Sequence, residues 1–268
     1  MVATFVDEWV RAGITDAVVC PGSRSTPLTL AVLADDRLRV HVHVDERSAA
    51  FTALGLGLAT GVPAPIVTTS GTAAVELHPA VVEAHHAAVP LIACTADRPP
   101  ELQGIGAPQT IDQRGLFGSA VRASWDVAPA EDRQQGQWRS WASQAVLAAT
   151  GDPPGPVHLN LGFREPLLGP VGPLPPGRPA GSPWHRRAEP ADPPDLRELL
   201  RLVRGAADGI VVAGRGCGGA PSVLELADRL GWAVLADPLS GLRIDHPDGL
   251  LDPAGYFARL RERAPNAW

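Results

Sequence analysis

Cysteine is scarce in this chain. There are three in 268 residues, Cys20, Cys94 and Cys217, far apart and with no C-x-x-C pair. That excludes a disulfide framework and a clustered-thiolate zinc site, and a reducing cytoplasm is the simplest expected compartment. Long apolar runs are also missing: none reaches the roughly 18 residues that a membrane-spanning helix needs, so no membrane insertion is expected. Basic charge is in deficit, 23 Lys and Arg against 29 Asp and Glu, for a net charge of −6. Nucleic acid or an anionic membrane would favour the opposite balance. The first twenty residues, "MVATFVDEWVRAGITDAVVC", bring in Asp7, Glu8 and Arg11 early and show no secretory pattern.

What is present is an ordinary globular composition, 45% apolar and 19% charged, at a length suited to one large domain or two smaller ones. Through residue 165 the chain repeats a strand, a turn and a helix. "DAVVC" (16–20) runs through "PGSRSTP" into a helix from Thr26. "RVHVHV" (39–44) runs through "DER" into a helix over 48–60. "APIVTTS" (64–70) runs through "GTA" into a helix over 73–87, and "PLIACTA" (90–96) into a Gly- and Pro-rich loop. A helix over 137–149 and a strand at 155–161 follow. This repetition predicts an α/β fold, a mostly parallel sheet flanked by helices on both faces, with ligands at the carboxyl ends of the strands. Residues 1–168 read as one domain, 169–195 as a Pro- and Gly-rich linker, and 196–268 as the start of a second α/β domain that stops after two clear strands.

Four turns at strand ends carry polar residues suited to chemistry. Glu46 sits where a strand meets a helix in apolar surroundings. It reads either as a dipole-stabilised first-turn carboxylate or as a partly desolvated one able to share a proton with a ring nitrogen. Asp45, next to it, is expected on the opposite face of the strand. In "CPGSRSTP", Ser23, Arg24, Ser25 and Thr26 either cap a helix or converge on a carboxylate or phosphate. Thr69, Ser70, Gly71 and Thr72 form a turn that is either a cap or a place of close backbone approach to a ligand. Arg98 ends the next strand, and Gln109 follows in a long irregular loop, where function concentrates.

Two patterns imitate other sites. His41, His43 and Asp45 alternate along a strand, but two imidazoles and a carboxylate lack a further ligand, and His78, His85 and His86 fare no better, so no metal is expected. "GRGCGG" matches G-x-G-x-x-G after a strand, with Asp237 some distance on, a lone dinucleotide-like fingerprint in an incomplete fold.

Taken together and in register, "CPGSRSTPLTLA", "HVDERSAAFTALGLGLATG", "VTTSGTAAVELHPAVVEA" and "TADRPPELQGIGAPQTIDQRGLFG" closely resemble one family of thiamine-diphosphate enzymes. It is the family of synthases that make 2-succinyl-5-enolpyruvyl-6-hydroxy-3-cyclohexene-1-carboxylate in menaquinone biosynthesis. The resemblance implies a pyrimidine-binding domain over 1–168. It also implies a cytoplasmic transferase that decarboxylates 2-oxoglutarate and adds the remainder to isochorismate. By motif, Glu46 would hydrogen-bond N1′ of the cofactor's aminopyrimidine and so help to deprotonate C2. Thr69, Ser70, Gly71 and Thr72 would line the cofactor, and Ser23, Arg24, Arg98 and Gln109 would contact the carboxylate substrates. The family's "GANQ" is here "GAPQ", so Pro108 removes an amide side chain and a backbone donor. The family holds Mg²⁺ (or Mn²⁺) and the diphosphate through a G-D-x-S-type segment of a third domain, which these residues do not contain. The expectation is therefore an N-terminal fragment, inactive by itself, of a homodimer or homotetramer with active sites between subunits. Another thiamine-diphosphate carboligase, of the acetolactate-synthase kind, and a non-catalytic pyrimidine-domain module are the alternatives.

Overall fold

The computed structural model describes residues 1–170, 172–188, 195–206, 209–218 and 220–242. The chain divides into two compact units, Met1–Glu189 and Pro190–Trp268. Expectations for 189–194 and 243–268 lie outside the described residues.

The first unit is built on six parallel strands: β1 (Asp16–Val19), β2 (Arg39–Val42), β3 (Ala64–Thr68), β4 (Leu91–Asp97), β5 (Ala123–Val127) and β6 (Pro156–Gly162). Their order across the sheet is β2-β1-β3-β4-β6-β5. Every residue of β1, β3, β4 and β6 is buried, as near-continuous apolar runs should be in a parallel sheet covered on both faces. β2 and β5 are the two edges and are partly exposed.

Side chains alternate across the sheet and feed two cores. Ala17, Val19, Val67, Ile92 and Leu159 pack with Phe5 and Trp9 of α1 (Val2–Arg11), Leu28 and Val32 of α2 (Thr26–Leu33), and Trp138 and Ala142 of α6 (Gln135–Ala149). Val18, Cys20, Ile66 and Ala93 pack on the opposite face with Ala49, Ala53 and Leu54 of α3 (Glu46–Thr60) and Ala80, Val81 and Ala84 of α5 (His78–His86). The small residues of α3 let it lie close to the sheet: a Cβ added at Gly57 would stand 2.5 Å from the Pro90 carbonyl oxygen. Gly61, at φ 70°, ends α3 in the left-handed conformation that glycine adopts without strain.

Three sequence expectations are corrected. The helix expected over 73–87 is two, α4 (Thr72–Val75) and α5, because Pro79 belongs in a first turn and cannot continue the preceding helix. The helix expected from residue 48 starts at Glu46. Asp45 is not a strand residue at all: it caps α3, its Oδ1 accepting from the Ser48 amide at 2.7 Å.

Beyond β6 the described chain runs back over α1 and α6 with only a short 3-10 turn, Pro179–Gly181, yet it is tied down. Arg139 donates to the Pro175 carbonyl from Nε at 3.1 Å and from Nη2 at 2.8 Å, and from Nη1 to Asp7 and Glu8 at 2.8 Å each. Glu8, fully buried, also accepts from the Trp184 amide. The second unit contains α7 (Arg197–Gly205), β7 (Ile210–Ala213), α8 (Ala220–Leu230) and β8 (Ala233–Ala236), with its two strands parallel. Among the described residues, no helix is long and apolar enough to cross a membrane.

Candidate active site

β2 lies to one side of β1 and β3 to the other, so the sheet reverses its winding between β1 and β3. In open α/β sheets such a reversal leaves a crevice at the carboxyl ends of the flanking strands. The Cys20–Pro27 turn leaves β1 there, and the Thr69–Thr72 turn leaves β3. The two turns touch: a Cβ added at Gly22 would stand 2.5 Å from the Thr69 Cβ.

Ser70 links three segments. Its buried hydroxyl donates to the Gln109 carbonyl at 2.9 Å and accepts from Arg98 Nη1 at 2.6 Å, while its carbonyl accepts from Gln109 Nε2 at 3.1 Å. Arg98 also donates from Nη2 to the Pro108 carbonyl at 2.8 Å, a bond that proline, lacking only the N–H, still supports. Gln109 adopts φ 54°, uncommon for a residue with a side chain, and packs over Gly71, itself at φ 82°.

Gln113, 1% exposed, braces this arrangement from below. Its Oε1 accepts from the Gly71 amide at 2.9 Å, and its Nε2 donates to the Ala96 carbonyl and to Asn160 Oδ1. Asn160 in turn donates to Asp97 Oδ2 at 2.9 Å and to Asp126, and Asp97 Oδ1 accepts from the Arg98 amide at 2.7 Å. A buried polar network survives when its members are satisfied, and this one fixes the turn after β3 to the end of β4.

Arg24 is 7% exposed. Nη1 donates to the Phe163 carbonyl at 3.1 Å, Nη2 to Glu165 at 3.3 Å, and Nε is buried with no partner among the described residues. Burial and then the nearby charge of Arg24 lower the Arg98 pKa, so the two guanidiniums share one neighbourhood. Glu46, half-buried at the first position of α3, makes no hydrogen bond or ion pair among the described residues. It lies near Cys20, whose thiol is pushed up to about 12 by burial, then by Glu46 and Asp45. Ser23 and Thr72 are exposed, with no side-chain hydrogen bond among the described residues.

A cleft of about 430 Å³ opens beside the site, lined by Asp97, Gln103, Thr110, Asp112, Gln113 and Arg114 among others. It borders the site through Asp97 and Gln113 but contains neither Arg24 nor Glu46. His41 bonds Asp16 at 2.9 Å, and the described residues contain no group of three or more His, Cys, Asp or Glu placed to hold a metal.

Residues 2–116 match the family described as thiamine pyrophosphate enzyme, N-terminal TPP binding domain. Those residues are an N-terminal domain of the thiamine pyrophosphate enzyme kind. It is similar to three proteins named 2-succinyl-5-enolpyruvyl-6-hydroxy-3-cyclohexene-1-carboxylate synthase. The one from Thermobifida fusca is 48% identical over 250 residues, covering 89% of this chain and 44% of the relative. The one from Halobacterium salinarum is 47% identical over 260 residues, 88% of this chain and 44% of the relative. The one from Bacillus velezensis is 42% identical over 278 residues, 98% and 47%. The chain thus spans less than half the length of these curated relatives.

The residues at the switch point suit the cofactor of a thiamine pyrophosphate enzyme. Glu46 offers a carboxylate with free acceptor capacity, as a protonated ring nitrogen requires, and the adjoining turns approach through glycine. Sequence reasoning missed Gln113, Asn160 and Glu165. Asn160 had a signal, a polar residue inside the buried strand "VHLNL". Gln113 and Glu165 had none beyond their neighbourhood in the chain.

Proposed function

We propose that the protein is a cytoplasmic, thiamine-diphosphate-dependent transferase that joins 2-oxoglutarate to isochorismate with loss of carbon dioxide. The product would be 2-succinyl-5-enolpyruvyl-6-hydroxy-3-cyclohexene-1-carboxylate, of menaquinone biosynthesis. This chain would contribute the pyrimidine-binding domain. The carrying observation is the shared neighbourhood of Arg24 and Arg98, with a buried N–H of Arg24 still unpaired. Both substrates bear carboxylates, and guanidiniums held by the protein bind them in a fixed orientation.

Bound thiamine diphosphate supplies the electron sink for decarboxylation. Glu46 would accept the hydrogen bond of the pyrimidine N1′ and share its proton. Thr69, Ser70, Gly71 and Thr72 would flank the cofactor. Ser23, Arg24, Arg98 and Gln109 would orient substrate, with Ser70 holding Arg98 and Gln109 in place. Mg²⁺ or Mn²⁺ with the diphosphate would be held by residues other than those described. Active sites would form between subunits of a homodimer or homotetramer.

The test is direct. A protein extended to the relatives' full length is incubated with both substrates, thiamine diphosphate and Mg²⁺, and the product is identified by mass spectrometry. Decarboxylation of 2-oxoglutarate with no requirement for isochorismate, or joining to a different acceptor, would replace this reading with that of another carboligase.

A further inference from the structure

Arg24 and Glu165 form an unequal pair. The arginine side chain is 8% exposed and the glutamate side chain 73%, with 3.3 Å between Nη2 and Oε1. The cation is fixed without help from Glu165, because Nη1 is held on the Phe163 carbonyl. The anion is exposed by comparison, and its one contact among the described residues is longer than the 2.7–2.9 Å of a well-made charged hydrogen bond. The same carboxylate also acts on Arg98 through its charge.

The edge of a guanidinium formed by Nε and Nη2 can grip both oxygens of one carboxylate. On Arg24 that edge is half used: Nη2 carries Glu165, and Nε–H is buried without an acceptor among the described residues. Were Glu165 there only to satisfy Arg24, the second donor would not be left orphaned in a buried position.

We propose that Glu165 is a displaceable internal counter-carboxylate that sets which anions the site admits. It rests on Arg24 Nη2 until a substrate carboxylate takes Nε and Nη2 together. This rests on the reading of Arg24 as a substrate contact. A carboxylate able to span both donors gains two bonds where Glu165 gives up one. A small anion that reaches only one donor gains nothing over Glu165 and is turned away. Glu165 is in this sense a specificity-determining residue, one that weakens every anion and weakens poorly fitting ones most.

The experiment compares wild type, Glu165→Gln, Glu165→Ala and Arg24→Ala in the full-length enzyme. Kinetics are measured for both carboxylate substrates, with chloride as a competing anion that cannot offer two oxygens. Exposed ion pairs are worth enough to change an equilibrium roughly 2- to 5-fold. Glu165→Gln and Glu165→Ala should lower KM for one of the two substrates by about that factor, change kcat less, and strengthen inhibition by chloride. Arg24→Ala should raise the same KM. If Arg24→Ala raises KM but neither Glu165 variant lowers it or sensitises the enzyme to chloride, the counter-carboxylate role is wrong. If Arg24→Ala changes neither KM, the substrate-binding reading itself falls.

Discussion

Ser70 and Gln109 hold each other twice, the serine hydroxyl donating to the glutamine carbonyl at 2.9 Å and the glutamine amide donating back to the serine carbonyl at 3.1 Å. Arg98 leans on the same hydroxyl. Ser70→Ala therefore frees an arginine and a loop together. A hydrogen bond to a charged group is worth ~1.5–3 kcal/mol, so substrate KM in the full-length enzyme should rise roughly 10- to 150-fold. Thiamine-diphosphate affinity should change far less. An equal loss in both would give the hydroxyl to the cofactor.

Gln113→Leu removes the acceptor of the buried Gly71 amide and leaves it unpaired; it also removes one donor to Asn160 Oδ1, which keeps its bond from Thr95 Oγ1. An orphaned buried group costs ~1–3 kcal/mol. Urea unfolding of the 268-residue chain should register a loss of about 2 kcal/mol or more. Gln109→Ala, at an exposed position, should lose much less.

Glu46 and Asp45 are adjacent but do different work. Asp45 caps α3, whereas Glu46 has an uncommitted carboxylate. Glu46→Gln should slow hydrogen–deuterium exchange at C2 of the bound cofactor in the full-length enzyme by ~10²- to 10⁴-fold. Asp45→Ala should lower the melting temperature and leave exchange nearly intact. The reverse pattern would mean that Asp45 is the proton partner.

His158 is fully enclosed between β4 and β5, and burial lowers its pKa to about 4, with the Asp126 charge opposing. The unfolded chain takes up this proton near pH 6.5 while the folded chain resists, so stability falls as pH drops from about 6.5 to 4. At 1.36 kcal/mol per unit, the loss is about 3 kcal/mol by pH 4. His158→Gln should flatten that slope in urea titrations. Asp7 acts in a lower window. Burial raises its pKa, but hydrogen bonds from Arg11, Arg139 and Arg37 outweigh it and hold the group at about 2. Its contribution is present above the ordinary carboxylate range and is lost as pH falls towards 2, a loss that Asp7→Asn should abolish.

The strands that are buried on both faces were legible because nothing but a covered sheet explains "DAVV" or "PIVT". β5 was not: "ASWDV" is short, half-exposed and polar at alternate positions, and it forms a strand only because β6 is there to pair with it. That pairing inserts β6 between β4 and β5, and no local pattern encodes such an order. The turns at Arg24, Glu46, Ser70 and Arg98 could be picked out singly from charge and glycine at strand ends. That Arg24 and Arg98 share a neighbourhood follows from the sheet order. Gln113 was hidden for another reason: an uncharged residue in an irregular loop announces itself only through the amide it receives.

The polypeptide that leaves β6 and returns across α1 and α6 redefines where this half of the molecule ends. A protease cut or an engineered stop just after Leu168 would preserve all six strands, yet it would strip two donors of Arg139 of their acceptor. It would also deprive the enclosed Glu8 of a backbone amide. Sheet completeness is thus a poor guide to autonomy here. The contacts that complete this unit run on through Trp184 and His185, in a stretch whose regular structure is one short 3-10 turn, Pro179–Gly181.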